Sequence, residues 1–221
     1  VWHGAAPCTP PWKKAMLEWF GPKVHEYYGS TEGAFISNIL AEDWIKKGGS
    51  VGKPVETVEV IIIDDSGERI ERPNEPGVLY FRNLLGMGFE YHKAPEKTAA
   101  AHLEPGVFTT GDIGYLDEDG YLWLSDRKID MIISGGVNIY PAEIEAVIAE
   151  HEGVADVSVI GVPNEEFGEE VKAIVECSDA FLENADLLKE LLQLCTKKLA
   201  GYKRPRSIDF VDELPRTGTG K

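Results

Sequence analysis

Asp126-Arg127-Lys128-Ile129-Asp130-Met131-Ile132-Ile133-Ser134-Gly135-Gly136-Val137-Asn138-Ile139-Tyr140-Pro141-Ala142-Glu143-Ile144-Glu145 is the stretch on which the fold turns. A charged connector leads into an apolar strand at Met131–Ile133, then a Ser-Gly-Gly loop. A helix follows, opened by Pro141 and carrying Glu143 and Glu145 in its first turns. The change of rhythm places a domain boundary near Asp126–Ile129, dividing the chain into residues 1–126 and 127–221. Beyond the helix, strands are expected at Val157–Val162 and Val171–Glu176, then a helix capped by Asn184 through Leu199, then a strand at Ser207–Val211. The order β-α-β-β-α-β predicts a small α/β unit of about 95 residues.

Upstream, Thr9-Pro10-Pro11 before WKKAMLEWF predicts an N-cap and an amphipathic helix that ends at Gly21-Pro22. Lys23 to Tyr28 reads as a strand entering the loop YGSTEG. From Gly52 to Arg82 the signals are β: VEVIIID, a turn at Asp65-Ser66-Gly67, and GVLYFR after the turn Asn74–Gly77. Gly111 to Arg127 reads as a second hairpin around Glu118-Asp119-Gly120. The class is α/β (α+β).

A chain of 221 residues suits one or two domains with a substantial core. No apolar run approaches the roughly 18 residues of a membrane helix, so no transmembrane segment is expected. A net charge of −16 repels phosphate backbones and argues against nucleic acid as a partner. Val1-Trp2-His3 has neither an initiator methionine nor a basic n-region, which predicts a start in mid-protein and no signal peptide. Cys8, Cys177 and Cys195 lack metal or disulfide spacing, so buried thiols in a reducing, cytoplasmic setting are expected.

Several short stretches offer ligand chemistry. Tyr28-Gly29-Ser30-Thr31-Glu32 presents an aromatic face, a glycine allowing close backbone approach, two hydroxyls and a carboxylate that suits Mg²⁺. A turn with a capping threonine explains the same residues. Thr110-Gly111-Asp112 places a carboxylate where vicinal ribose hydroxyls can donate to it, and is equally an ordinary turn. Gly135 and Gly136 let a backbone approach a ligand closely. Lys197 to Arg206 holds five basic residues and no acid, which reads either as cations at a helix C-terminus or as a docking place for an anion.

Read together, GAAP (Gly4–Pro7), YGSTE, TGD, DRKIDMIISGGVNIYPAEIE and PRTGTGK (Pro215–Lys221) resemble, in this order, the acyl-adenylate-forming superfamily. They are most similar to its AMP-forming acyl-CoA synthetases, of the long-chain fatty-acid–CoA ligase type. The resemblance spans the whole chain and matches the C-terminal portion of such an enzyme. It implies that residues 1–126 are the end of the large AMP-binding domain, with a β-barrel-like subdomain. Residues 127–221 would be the small mobile C-terminal domain. The implied reaction activates a carboxylic acid with ATP and Mg²⁺, then passes the acyl group to coenzyme A.

By position, the resemblance implies that Ala5 and Ala6 lie beside adenine and the acyl pocket. Tyr28, with Gly29, would stack on adenine; Thr31 would contact phosphate and Glu32 would hold Mg²⁺. Asp112, assisted by Arg127, would bind the ribose. Gly135 and Gly136 would line the path of the CoA thiol, and Lys203 and Arg204 would meet CoA phosphates. Lys221 would contact the α-phosphate and the attacking carboxylate, which are both anionic and need positive charge between them. The hinge of the small domain falls at Ile129, where the family usually carries a charged or polar residue; a β-branched side chain is stiffer there.

The Ser/Thr/Gly-rich phosphate loop that the family carries upstream is absent from these residues. Turnover by the 221-residue chain alone is therefore not expected. The alternatives are a non-catalytic nucleotide- or CoA-binding module, an aryl or steroid acid ligase, or a luciferase-like oxygenase. MIISGGVNIYPAEIE is unlike the Lys-Ile-Arg-Gly segment of carrier-protein-loading domains. Oligomeric state is left open, a homo-oligomer included.

Overall fold

Proline and glycine punctuate the first elements of the computed structural model, which describes residues 1–4, 8, 10–86, 88–178 and 186–216. Ala5, Ala6, the caps Thr9 and Asn184, and Lys221 lie outside the described residues. The chain divides into two units, Val1–Lys128 and Ile129–Lys221.

In the first unit, β1 (Trp2–His3) precedes α1 (Pro10–Phe20), which closes at Gly21 with φ +73°. β2 (His25–Ser30) lies between β1, in parallel, and β3 (Ala34–Ile39), antiparallel. The short helix α2 (Ala41–Trp44) and β4 (Lys53–Pro54) complete a sheet ordered β1-β2-β3-β4. β5 (Val58–Ile63) and β6 (Gly77–Asn83) pair along their full length. Helix α3 (Pro95–Ala101) then leads to β7 (His102–Glu104), β8 (Val107–Phe108), β9 (Asp112–Leu116) and β10 (Leu122–Arg127).

The free edge of β6 is shared, with β8 at Phe81–Arg82 and β9 at Gly77–Val78. Splitting that edge leaves β5, β7 and β10 with one strand neighbour each, so the sheet stays open among the described residues. The barrel-like subdomain expected from the resemblance is thus a six-stranded open sheet, not a closed barrel. Its apolar face shares a core with the first sheet through Ile36, Val60, Ile62, Leu79, Phe81, Phe108 and Leu122. Each such side chain contributes about 1.5–3 kcal/mol on burial.

A glycine clips the two sheets together. Leu122 donates its amide to the Gly52 carbonyl at 2.7 Å, and its own carbonyl accepts from Val51 N and Ser50 Oγ. Gly52 sits at φ +94°, and a Cβ there would lie 1.8 Å from the Asn38 carbonyl oxygen. No other residue fits.

In the second unit, β11 (Ile132–Ser134) and β12 (Val137–Ile139) form a hairpin before α4 (Pro141–Ile148). The long hairpin β13 (Val154–Asn164) and β14 (Gly168–Cys177) follows, then α5 (Leu187–Lys198) and β15 (Ser207–Val211), which pairs in parallel with β14. β12 is an addition to the expected β-α-β-β-α-β order. Gly135 and Gly136 both have positive φ, +58° and +77°, which closes a two-residue turn where a loop was expected. Ile132, Ile139, Ile144, Ile148, Val171, Ala173, Val175, Leu187 and Leu191 form the core of this unit. Cys195 is buried in it, and Cys8 and Cys177 are partly buried. Among the described residues no helix is long and apolar enough to cross a membrane.

Candidate functional site

The β9–β10 hairpin carries Asp112 at one end and Arg127 at the other. Its turn is built on Asp117. Oδ1 accepts from the amides of Asp119 and Tyr121, both at 2.9 Å. Oδ2 accepts from Lys47 Nζ at 2.9 Å and Trp123 Nε1 at 3.2 Å. Burial alone would push this carboxyl up, but the four donors outweigh it and bring it down to about 2. Down the ladder the register shifts between Leu124 and Asp126, a β-bulge, and Arg127 ends opposite Asp112.

Three segments meet at the Asp112 carboxylate. Tyr28, from β2, donates its hydroxyl to Oδ2 in a short hydrogen bond. Thr110 Oγ1 donates to the same oxygen at 2.7 Å, and Arg127 Nε lies 3.5 Å from Oδ1. Gly111, at φ +83°, makes the bend, and its carbonyl accepts from Lys128 N at 2.8 Å. The Tyr28 ring packs on Phe81, with centroids 6.0 Å apart. Burial, and then the Asp112 charge, push the phenol far up, so it stays a donor. The structure therefore brings together Tyr28, Asp112 and Arg127, and adds Thr110.

After Tyr28 the β2–β3 register also shifts, at Gly29. The turn that follows is capped by Ser30, whose Oγ accepts from Gly33 N at 2.9 Å. A serine does what the turn reading gave to a threonine, and Thr31 is left exposed. Glu32 Oε1 accepts from the hydroxyl of Tyr91 at 2.9 Å, a partner that sequence reasoning missed. Tyr91 lies 59 residues away in a loop with no local signal. Among the described residues no cluster of three or more His, Cys, Asp or Glu could cage a metal. A single carboxylate beside substrate phosphates is how Mg²⁺ is commonly held, so Glu32 fits that ion.

In the second unit, Gly135 donates its amide to the Phe167 carbonyl at 2.8 Å, and a Cβ on Gly135 would meet the Phe167 ring at 3.3 Å. Gly136 faces open space. Lys203 Nζ pairs with Glu143 at 2.6 Å. Arg204 donates to the carbonyls of Leu199 and Thr196, at 3.0 and 3.1 Å, satisfying the end of α5. Of the two readings of the basic stretch, Arg204 shows the helix-end role. Ile129 is 87% exposed.

A buried ionic cluster also went unforeseen. Lys13 is 0% exposed and its ammonium lies 3.3 Å from Glu26 Oε2, with His3 Nε2 hydrogen-bonded to the same ammonium. Burial pushes the Glu26 carboxyl up and the Lys13 ammonium down, while their mutual attraction opposes both.

The sequence matches two family models, "AMP-binding enzyme" over residues 1–88 and "AMP-binding enzyme C-terminal domain" over residues 143–221. A 2-succinylbenzoate–CoA ligase of Geobacillus sp. (strain WCH70) is 42% identical over 202 residues, covering 91% of this chain and 40% of that protein. A long-chain-fatty-acid–CoA ligase of Yersinia pestis is 41% identical over 218 residues, covering 96% of this chain and 37% of that protein. Among solved structures, the amide bond synthetase McbA from Marinactinospora thermotolerans matches with a TM-score of 0.89 at 35% identity, covering 100% of this chain and 44% of that one. The chain spans about 40% of the length of the curated relatives it matches.

Proposed function

This chain belongs to the AMP-binding enzymes, and from that premise we propose that the protein carrying it is an AMP-forming acid–CoA ligase. In the first half-reaction a carboxylate oxygen attacks the α-phosphorus of ATP and pyrophosphate leaves. In the second the CoA sulfur attacks the acyl carbon and AMP leaves. The observation that carries the reading is the convergence of Tyr28, Thr110 and Arg127 on Asp112. A carboxylate fixed by three partners is a preorganised acceptor for the two ribose hydroxyls.

The remaining roles follow the resemblance. Tyr28 lies along the adenine with Gly29, Ala5 and Ala6 beside it, and exposed Thr31 meets phosphate. Glu32 holds Mg²⁺, which when bound supplies positive charge at the phosphates. Lys221 adds charge where the carboxylate meets the α-phosphate. Gly135 and Gly136 line the thiol path. For Lys203 and Arg204 to meet CoA phosphates, they exchange Glu143 and the α5 carbonyls for the ligand. The small domain turns about Ile129. We take the acid to be a fatty acid, on the likeness to the Yersinia ligase.

The test separates the half-reactions in the full-length protein. Lys221→Ala is expected to abolish ATP–pyrophosphate exchange while sparing thioester formation from supplied acyl-adenylate. Equal loss of both refutes the role of Lys221. A panel of acids checks the substrate, with long-chain fatty acids expected to outpace 2-succinylbenzoate.

A further inference from the structure

The loop before α3 presents Tyr91 to Glu32, and every part of its mounting can be named. The Tyr91 amide donates to Thr98 Oγ1 at 2.9 Å, and that hydroxyl donates to the Ala94 carbonyl at 3.0 Å. The ring meets Phe89 edge-on, with centroids 5.2 Å apart, and Phe89 in turn packs on His102 and Phe108. Lys97 Nζ stands 4.1 Å from the ring centroid.

The hydroxyl meets one oxygen of Glu32, Oε1, at 2.9 Å. A cation drawn to Glu32 can use the other oxygen freely, whereas gripping both oxygens must compete with Tyr91. Mg²⁺ is content with one carboxylate oxygen, substrate phosphates and water; Ca²⁺ readily takes a carboxylate through both oxygens.

We propose that Tyr91 is a positioning residue for Glu32 and that it sets the preference of this site for Mg²⁺ over Ca²⁺. The inference rests on the reading of Glu32 as the metal-binding carboxylate. Tyr91 touches neither substrate nor metal; it acts by holding one oxygen and fixing the plane of the carboxylate. Removing the hydroxyl alone, with the ring kept, leaves Glu32 free to turn and to chelate.

The experiment uses the full-length enzyme, with Mg²⁺ and Ca²⁺ titrated calorimetrically in the presence of α,β-methylene-ATP. Tyr91→Phe is expected to weaken Mg²⁺ by about 10–100-fold, as loss of a partner behind a metal ligand commonly does. Ca²⁺ is expected to weaken less, so that the Mg²⁺/Ca²⁺ preference falls. In turnover, the KM for Mg·ATP rises more than kcat falls. A Mg²⁺ affinity within about twofold of wild type, or parallel loss of both ions, overturns the proposal. Thr98→Val loosens the Tyr91 backbone without touching its hydroxyl, and is expected to shift the preference in the same direction by less. A urea midpoint on each variant reports the fold. Glu32→Gln separates the two levels of inference. If it leaves Mg²⁺ affinity unchanged, Glu32 is not the metal ligand and the reading beneath the proposal fails. If it loses Mg²⁺ while Tyr91→Phe does not, only the role of Tyr91 fails.

Discussion

Acidification should loosen the hairpin that aligns Asp112 with Arg127, and the magnitude can be worked from Asp117. Its carboxyl is held down from the ordinary 3.8 to about 2 by Lys47, two backbone amides and the Trp123 indole. A depressed acid stabilises the fold above its unfolded value, near 3.8, and that stabilisation is lost as pH falls through about 2. At 1.36 kcal/mol for each tenfold change in proton affinity, the full effect is roughly 2 kcal/mol. Lys47 also pairs with Asp119, whose side chain is 65% exposed, so solvent screens part of the cluster and about 1–2 kcal/mol is the working figure. For a chain of this size that is about 3–6 °C in Tm. Asp117→Asn should show this deficit at pH 7 in urea unfolding followed by circular dichroism. The gap between the variant and wild type should narrow below pH 4 and close near pH 2. A gap that is the same at pH 7 and pH 2 refutes the electrostatic account, because the neutral contacts of the turn do not titrate there.

Lys13→Met should cost about 3 kcal/mol by stranding buried Glu26, and Lys13→Met/Glu26→Gln should recover more than half of it, measured by urea unfolding. Gly52→Ala should cost about 3 kcal/mol or more, since its Cβ collides with the Asn38 carbonyl; a melting scan checks it. Arg204→Ala should lower the unfolding midpoint in the absence of CoA through the loss of two bonds to α5, about 1 kcal/mol. Purified as 221 residues, the chain should show no ATP–pyrophosphate exchange, and measurable exchange would sink that expectation.

Legibility followed the range of the interactions. β15 is legible to its observed ends because Ile208, Phe210 and Val211, a β-branched and aromatic set, lie between the polar Arg206 and Asp212 and need no partner to be recognised. α4 was legible for a similar reason: proline opens it, and Ile144 and Ile148 recur on one buried face. β3 escaped. Its inward residues, Ile36, Ser37 and Ile39, do not alternate cleanly, and the bulge at Gly29 breaks the period of its partner. The approach of Tyr28 to Asp112 spans 84 residues, and no spacing rule reports that distance. The resemblance implied that both residues serve one ligand; it did not say that one would hold the other. Tyr91 and the Lys13–Glu26 pair lay beyond reach because each is defined only by a partner from another segment.

The bulge in β10 makes the register of a strand a determinant of charge. Leu124 faces Gly114 and Asp126 faces Ile113, so Ser125 is the surplus residue. Draw it into the ladder, and continuous pairing would bring Ser125 opposite Ile113 and Asp126 opposite Asp112. A carboxylate would then sit across from the carboxylate, in the place Arg127 now fills. A slip of one residue, with no change of sequence, would thus act as a charge reversal opposite Asp112. In any set of variants of this chain, substitutions that straighten this bulge deserve to be scored as electrostatic changes, and loss of Ser125, which leaves Arg127 opposite Asp112, as a change of length.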